Sequence, residues 1–160
     1  MLISFFLVGM KYVLVTGNSF KHETPTLMEV MDESGSTEVC DLKHQYPFDA
    51  VYASGVFTDG KMIVCGGFIE EYDNLTSPCY VYGYGEGWTK LADTRVPRVM
   101  SASISIPGGI LMTGGLTESS DGPKVLQTSE IVYLNGTVRQ SKPLPEPRAG
   151  HCLVEYQVAW

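Results

Sequence analysis

Apolar residues along this chain gather in short runs closed by glycine, proline, aspartate or asparagine. KYVLVTGN, KMIVCGGF and ILMTGGL are three of them, and each runs into glycine. Short runs rich in Val, Ile, Tyr and Thr and bounded by turn residues read as β-strands. No stretch combines apolar positions at helical spacing with helix caps, so no helix is predicted. Glycine beside a strand loses more conformational freedom on folding than other residues and packs nothing. Its recurrence at strand ends therefore calls for a reason.

The runs repeat. Gly17, Gly66 and Gly114 recur at intervals of 49 and 48 residues. Pro47, Pro97 and Pro147 recur at intervals of 50, and each leads into a strand-like run: YPFDAVYAS, VPRVMSASI and EPRAGHCLV. Two more short runs follow the glycines in each unit. The first is LMEVMD, CYVYGY or EIVYLN, and the second is STEVCDL, GWTKLA or GTVRQS. Four strands in a unit of about fifty residues is the size of one propeller blade. Gly108-Gly109 occupies the place of Asp59-Gly60 in the preceding unit and reads as the hairpin turn between the first two strands.

The order of landmarks resembles the kelch repeat of β-propellers: an apolar strand ending in a glycine doublet, a Tyr, a Trp, then a Pro-Arg turn into the next strand. The middle unit carries Gly66-Gly67, Tyr82 (with Tyr80 beside it), Trp88 and Pro97-Arg98. The third carries Gly114-Gly115, Tyr133, Val138 near the Trp position and Pro147-Arg148. The first is worn, with Gly17-Asn18, no Trp, and Pro47-Phe48. The resemblance implies an all-β chain, 1–160, forming part of a kelch propeller. Its four-stranded blades fall at about 1–46, 47–96 and 97–146, and one extra strand begins a fourth at 147–160. Three blades fall short of a closed kelch ring, so open blade faces are expected to invite self-association. Blades pack face to face and taper inward, and strand-end glycines then let backbones approach where a side chain would collide.

By function, the resemblance implies a non-catalytic protein–protein interaction module, a substrate-recruiting or scaffold segment of a larger protein. The alternative is a fragment of a secreted propeller of the galactose-oxidase or glycan-binding kind. Two acidic stretches follow glycine doublets, FIEEYDN with Glu70, Glu71 and Asp73, and LTESSDG with Glu118 and Asp121. They are expected as loops on one rim, able to dock a basic partner. Neither has the dense alternation of oxygen ligands that a calcium loop needs. Arg95, Arg98 and Arg148 fall in the loops that enter the first strand of a unit; the corresponding arginine of the family often works structurally, but such loops also line the binding face in related propellers.

Composition narrows the rest. Net charge is −7, with basic residues scattered, which disfavours nucleic acid as a partner. Hydrophobic content of 44% against 18% charged suits a packed β-protein. ISFFLVGM is too short to span a membrane. It occupies the first-strand slot and, read instead as a signal-peptide core, lacks a basic leader and a small-residue cleavage site. Cys40, Cys65, Cys79 and Cys152 form no CxxC pair, so no zinc site is expected. Their even count permits disulfides without showing them; a cytoplasmic protein with free cysteines as buried small hydrophobes is the favoured of the two readings. The sequons at Asn74 and Asn135 leave secretion open. KYVLVTGNS lacks the later glycines of a dinucleotide site. His22, His44 and His151 accompany no nucleophile elbow and no second matching histidine, so neither covalent catalysis nor a copper site is carried over. No cofactor is expected.

Overall fold

The computed structural model describes residues 3–6, 12–17, 27–32, 37–39, 46–47, 50–69, 73–83 and 86–156. Every regular element among them is a β-strand. The first four, β1 (Ile3–Phe6), β2 (Tyr12–Gly17), β3 (Leu27–Asp32) and β4 (Thr37–Val39), form one antiparallel sheet in chain order. Next come β5 (Ala50–Val51), β6 (Ser54–Thr58) and β7 (Lys61–Cys65). A small hairpin, β8 (Phe68–Ile69) and β9 (Asn74–Leu75), precedes β10 (Pro78–Gly83) and β11 (Gly87–Asp93). Strands β6, β7, β10 and β11 make the second sheet, again in chain order, while β5 pairs with β8 outside it.

The third sheet repeats the arrangement with β12 (Ala102–Ile106) and β13 (Gly109–Thr113), a hairpin of β14 (Leu116–Ser119) and β15 (Gly122–Val125), then β16 (Ser129–Tyr133) and β17 (Val138–Ser141). The Val51↔Phe68 pairing recurs as a bridge between Val99 and Leu116. The structure is thus all-β, with three four-stranded meanders built on one plan.

Two differences from the sequence reading concern strand limits. The β6–β7 turn is Asp59-Gly60, both at positive φ (48° and 74°), as a two-residue hairpin of that hand needs. The β12–β13 turn is Pro107-Gly108, one residue earlier than Gly108-Gly109. Gly109 instead opens β13, where a Cβ would lie 2.5 Å from the Val132 carbonyl oxygen. The expected extra strand after Gly150 is not formed in its described part: residues 151–156 pair with no strand, and Val154 and Tyr156 are exposed. A strand exists only through its ladder, and this run has no neighbour to bond.

Strand β7 is covered on both faces, which is why it reads as a continuous apolar run rather than an alternating one. Met62 and Val64 of β7 pack with Tyr46, Ala50 and Ala53. Ile63 and Cys65, pointing the other way, pack with Val56, Cys79, Ile110, Met112 and Val132 across to the third sheet. The leading strands β6 and β12 lie side by side without a ladder. Side chains join them: Ser54 Oγ donates to the Ser101 carbonyl at 3.0 Å, Thr58 Oγ1 to Ile106 at 3.0 Å, and Ser103 Oγ to Gly55 at 3.2 Å.

Candidate interaction surface

The glycine doublets act as seats for the segment that enters the next unit. Gly67 N–H donates to the Arg98 carbonyl at 3.0 Å, and Gly115 N–H to the Arg148 carbonyl at 2.7 Å. Gly66 and Gly114 hold φ of +69° and +59° beneath those carbonyls, and a Cβ on either would run into the Arg98 or Arg148 oxygen. Further along each entering segment, Met100 N–H donates to Tyr52 at 3.3 Å and Gly150 N–H to Met100 at 2.9 Å. The same contacts recur one unit on, so the join between units is itself a repeated structure.

Of the two roles open to Arg98, its burial fits the structural one: it is sealed inside, with a relative exposure of 1%. Its Nη1 donates to the carbonyls of Gly114 at 2.9 Å and Thr128 at 3.2 Å, and its Nη2 donates to Glu130 Oε1. Glu130 Oε2 accepts the backbone N–H of Arg95 at 2.7 Å. The guanidinium is thereby stripped of water and repaid by charge-assisted bonds, so it is unavailable to a partner. Glu130 escaped the sequence reading because a glutamate opening a strand reads as a solvated edge. Tyr80 holds the matching register position in the second sheet, since each is the residue after the one paired with the strand-end residue before the doublet. The corresponding space there is aromatic. Tyr46 meets Tyr80 edge-on at 5.8 Å and Trp88 at 4.9 Å, and Tyr82 lies 5.3 Å from Trp88 across the β10–β11 pair. Burial holds the Tyr46 phenol well above the ordinary tyrosine range, with the neighbouring Tyr80 adding to the effect.

Arg95 and Arg148 are exposed, and Arg148 meets Glu146 at 3.6 Å. Pro47 and Pro147 are exposed and Pro97 half-buried at the unit entries, while Gly17 closes β2. Tyr133 lies opposite Gly109, with the Arg139 guanidinium 5.9 Å over its ring. His151 Nε2 is 2.9 Å from Thr113 Oγ1, and partial burial, helped by the Arg148 charge, lowers its pKa below the ordinary histidine value.

The described parts of the acidic stretches belong to hairpins rather than plain loops. Asp73 sits at the β8–β9 turn with φ 47° and is exposed. Glu118 is exposed on β14, and Asp121 is exposed in the β14–β15 turn, where Gly122 takes φ 104°. Both hairpins occupy the same place between the second and third strands of a sheet, as the spacing implied. Glu70 and Glu71 lie outside the described residues, as do His22, His44 and Cys40.

The even cysteine count left pairing open, and two of the cysteines pair. Cys65 and Cys79, directly opposed on β7 and β10, are joined by a buried disulfide, and Cys152 is free and exposed. Connectivity of this kind cannot be deduced from cysteine spacing alone. Thr113 and Ser129 hold the same paired positions in the third sheet. No protein-family model matches the chain, and no curated protein matches it.

Proposed function

We propose that the chain is a kelch-type β-propeller segment, with blade units at 1–46, 47–96 and 97–146, serving as a non-catalytic protein-interaction module. The supporting observation is the repeated hairpin. Two successive sheets each extend a β8–β9 or β14–β15 hairpin from the same position, and these carry the exposed carboxylates of Asp73, Glu118 and Asp121. Repeated loops on a rigid scaffold are where binding residues concentrate, and carboxylates in series select a basic partner. Arg98 drops out of that surface. Screening an array of Lys/Arg-rich peptides by fluorescence anisotropy at low salt should find binders. The Glu118→Lys/Asp121→Lys variant should lose at least ~10-fold in affinity, because like charges then face the partner. Binding that the variant leaves intact would remove the rim from the reading.

The disulfide favours a second reading, a segment of a secreted, glycan-binding or galactose-oxidase-like propeller. Disulfides persist in oxidising compartments and are rare in the cytosol. Asn74 and Asn135, the acceptor residues of the two sequons, are both exposed. Alkylation of the protein isolated from its own source, followed by peptide mass spectrometry without reduction, should recover Cys65 and Cys79 as one linked pair. Two separately alkylated thiols would withdraw this reading.

A further inference from the structure

Within the chain, the second and third sheets join face to face. The row Val56–Ile63–Val81, one residue from each of β6, β7 and β10, lies on the far face of the second sheet. It packs against Ile110, Met112 and Val132 on the near face of the third, and Val56 and Ile63 are buried by that contact. The third sheet carries the equivalent far-face row, Ile104–Leu111–Ile131, in the same register. All three are only half-buried.

Arg148 marks the same opening. It is the repeat equivalent of Arg98, and its carbonyl already sits on Gly115 as that of Arg98 sits on Gly67. Arg98 goes on to bury its guanidinium against Glu130 of the following sheet, whereas that of Arg148 remains about half exposed. The piece missing from both features is a sheet with apolar residues at the near-face positions and a glutamate at the position of Glu130.

The first sheet of this chain has that pattern. Its register places Val13, Val15 and Met31 at the positions held by Ile110, Met112 and Val132 in the third sheet, and Glu29 at the position held by Glu130. We propose that the 160-residue chain self-associates head to tail. The far face of the third sheet in one copy receives the near face of the first sheet in a second copy, and Arg148 docks at the third-strand position that Glu29 occupies. In that arrangement β1 already fills the leading-strand place, so residues 151–156 have no strand to join. A contact of this heterologous kind closes into a ring if its rotation allows and otherwise propagates.

The test is charge exchange between copies, read by sedimentation velocity over a range of concentrations, with far-UV circular dichroism to verify folding. The wild-type chain should sediment at no less than twice its 17.6 kDa. Arg148→Glu and Glu29→Arg alone should each weaken association at least ~10-fold, because like charges then face each other. An equimolar mixture of the two variants should recover it, since each copy supplies what the other lacks. Should Glu29→Arg fail to fold, Leu111→Glu on the half-exposed face takes its place and should yield monomers. A monomeric wild type, a mixture that stays dissociated, or an association that Arg148→Glu and Leu111→Glu leave unchanged would each overturn the proposal. The contact rests on the repeat and not on the acidic rim, so the Glu118→Lys/Asp121→Lys variant should associate like the wild type.

Discussion

Replacing Glu130 with alanine is expected to lower the stability of the chain by about 3–5 kcal/mol, the cost of stranding one partner of a buried ion pair. The Arg98 side chain is fully buried, and Glu130 is its only counter-charge among the described residues. Without the carboxylate, the guanidinium keeps the carbonyls of Gly114 and Thr128 but loses the group that offsets its desolvation, and the Arg95 N–H loses its acceptor. Such a loss is a large share of the 5–15 kcal/mol typical of a folded domain. Urea unfolding followed by tryptophan fluorescence measures it. The double replacement Arg98→Met/Glu130→Leu should recover most of the deficit, because an apolar pair of similar volume removes both charges together. A cost below ~1 kcal/mol for Glu130→Ala would place the pair at the surface, where ion pairs are worth that little.

The same pair marks the boundary of what the sequence could tell. The four main strands of each unit were legible, because strands in the middle of a packed sheet become apolar runs and the turns between them need glycine, proline or aspartate. KMIVCGG is such a run, and β7 fills it from Lys61 to Cys65. The hairpins β8–β9 and β14–β15 were read as loops because they are short, polar and lie off the main sheets, so no apolar periodicity marks them. Glu130 shares a strand face with the buried Val132, yet alternation in EIVYLN is equally consistent with a charge at a wet edge. Only the entering segment, 32 residues earlier at Arg98, shows that this end of the strand is dry. Aromatic residues at the matching place in the second sheet serve the same end with different chemistry, so repeat comparison alone would not have found it. Of the candidate docking residues, the exposed acids were legible through spacing, while the fate of each arginine depended on whether a following sheet covers it.

Gly66→Ala and Gly114→Ala are expected to be among the most damaging single substitutions, at about 3 kcal/mol or more each, since each combines backbone strain with a steric clash. The φ of +69° at Gly66 already disfavours any side chain. The added Cβ would also lie 2.6 Å from the Arg98 carbonyl oxygen, and that oxygen is held in place by the Gly67 N–H. At Gly114 the Cβ would meet the Arg148 oxygen, with His151 Cε1 at 2.9 Å and Leu144 Cδ1 at 3.2 Å closing the space on other sides. A backbone oxygen cannot swing aside as the tip of a flexible side chain can, so relief requires the entering segment to lift off its seat. Gly60→Ala supplies the control. Its φ of +74° imposes the same conformational penalty, but nothing lies within 4 Å of the added Cβ, so about 1 kcal/mol is expected. The difference between Gly66→Ala and Gly60→Ala in chemical denaturation therefore isolates the close approach. Equal costs would mean that the doublets serve only as turns and that the join between units is held elsewhere. A much larger cost at Gly66 assigns the repeated glycines the task of letting one unit's entering strand lie directly on the backbone of the unit before it.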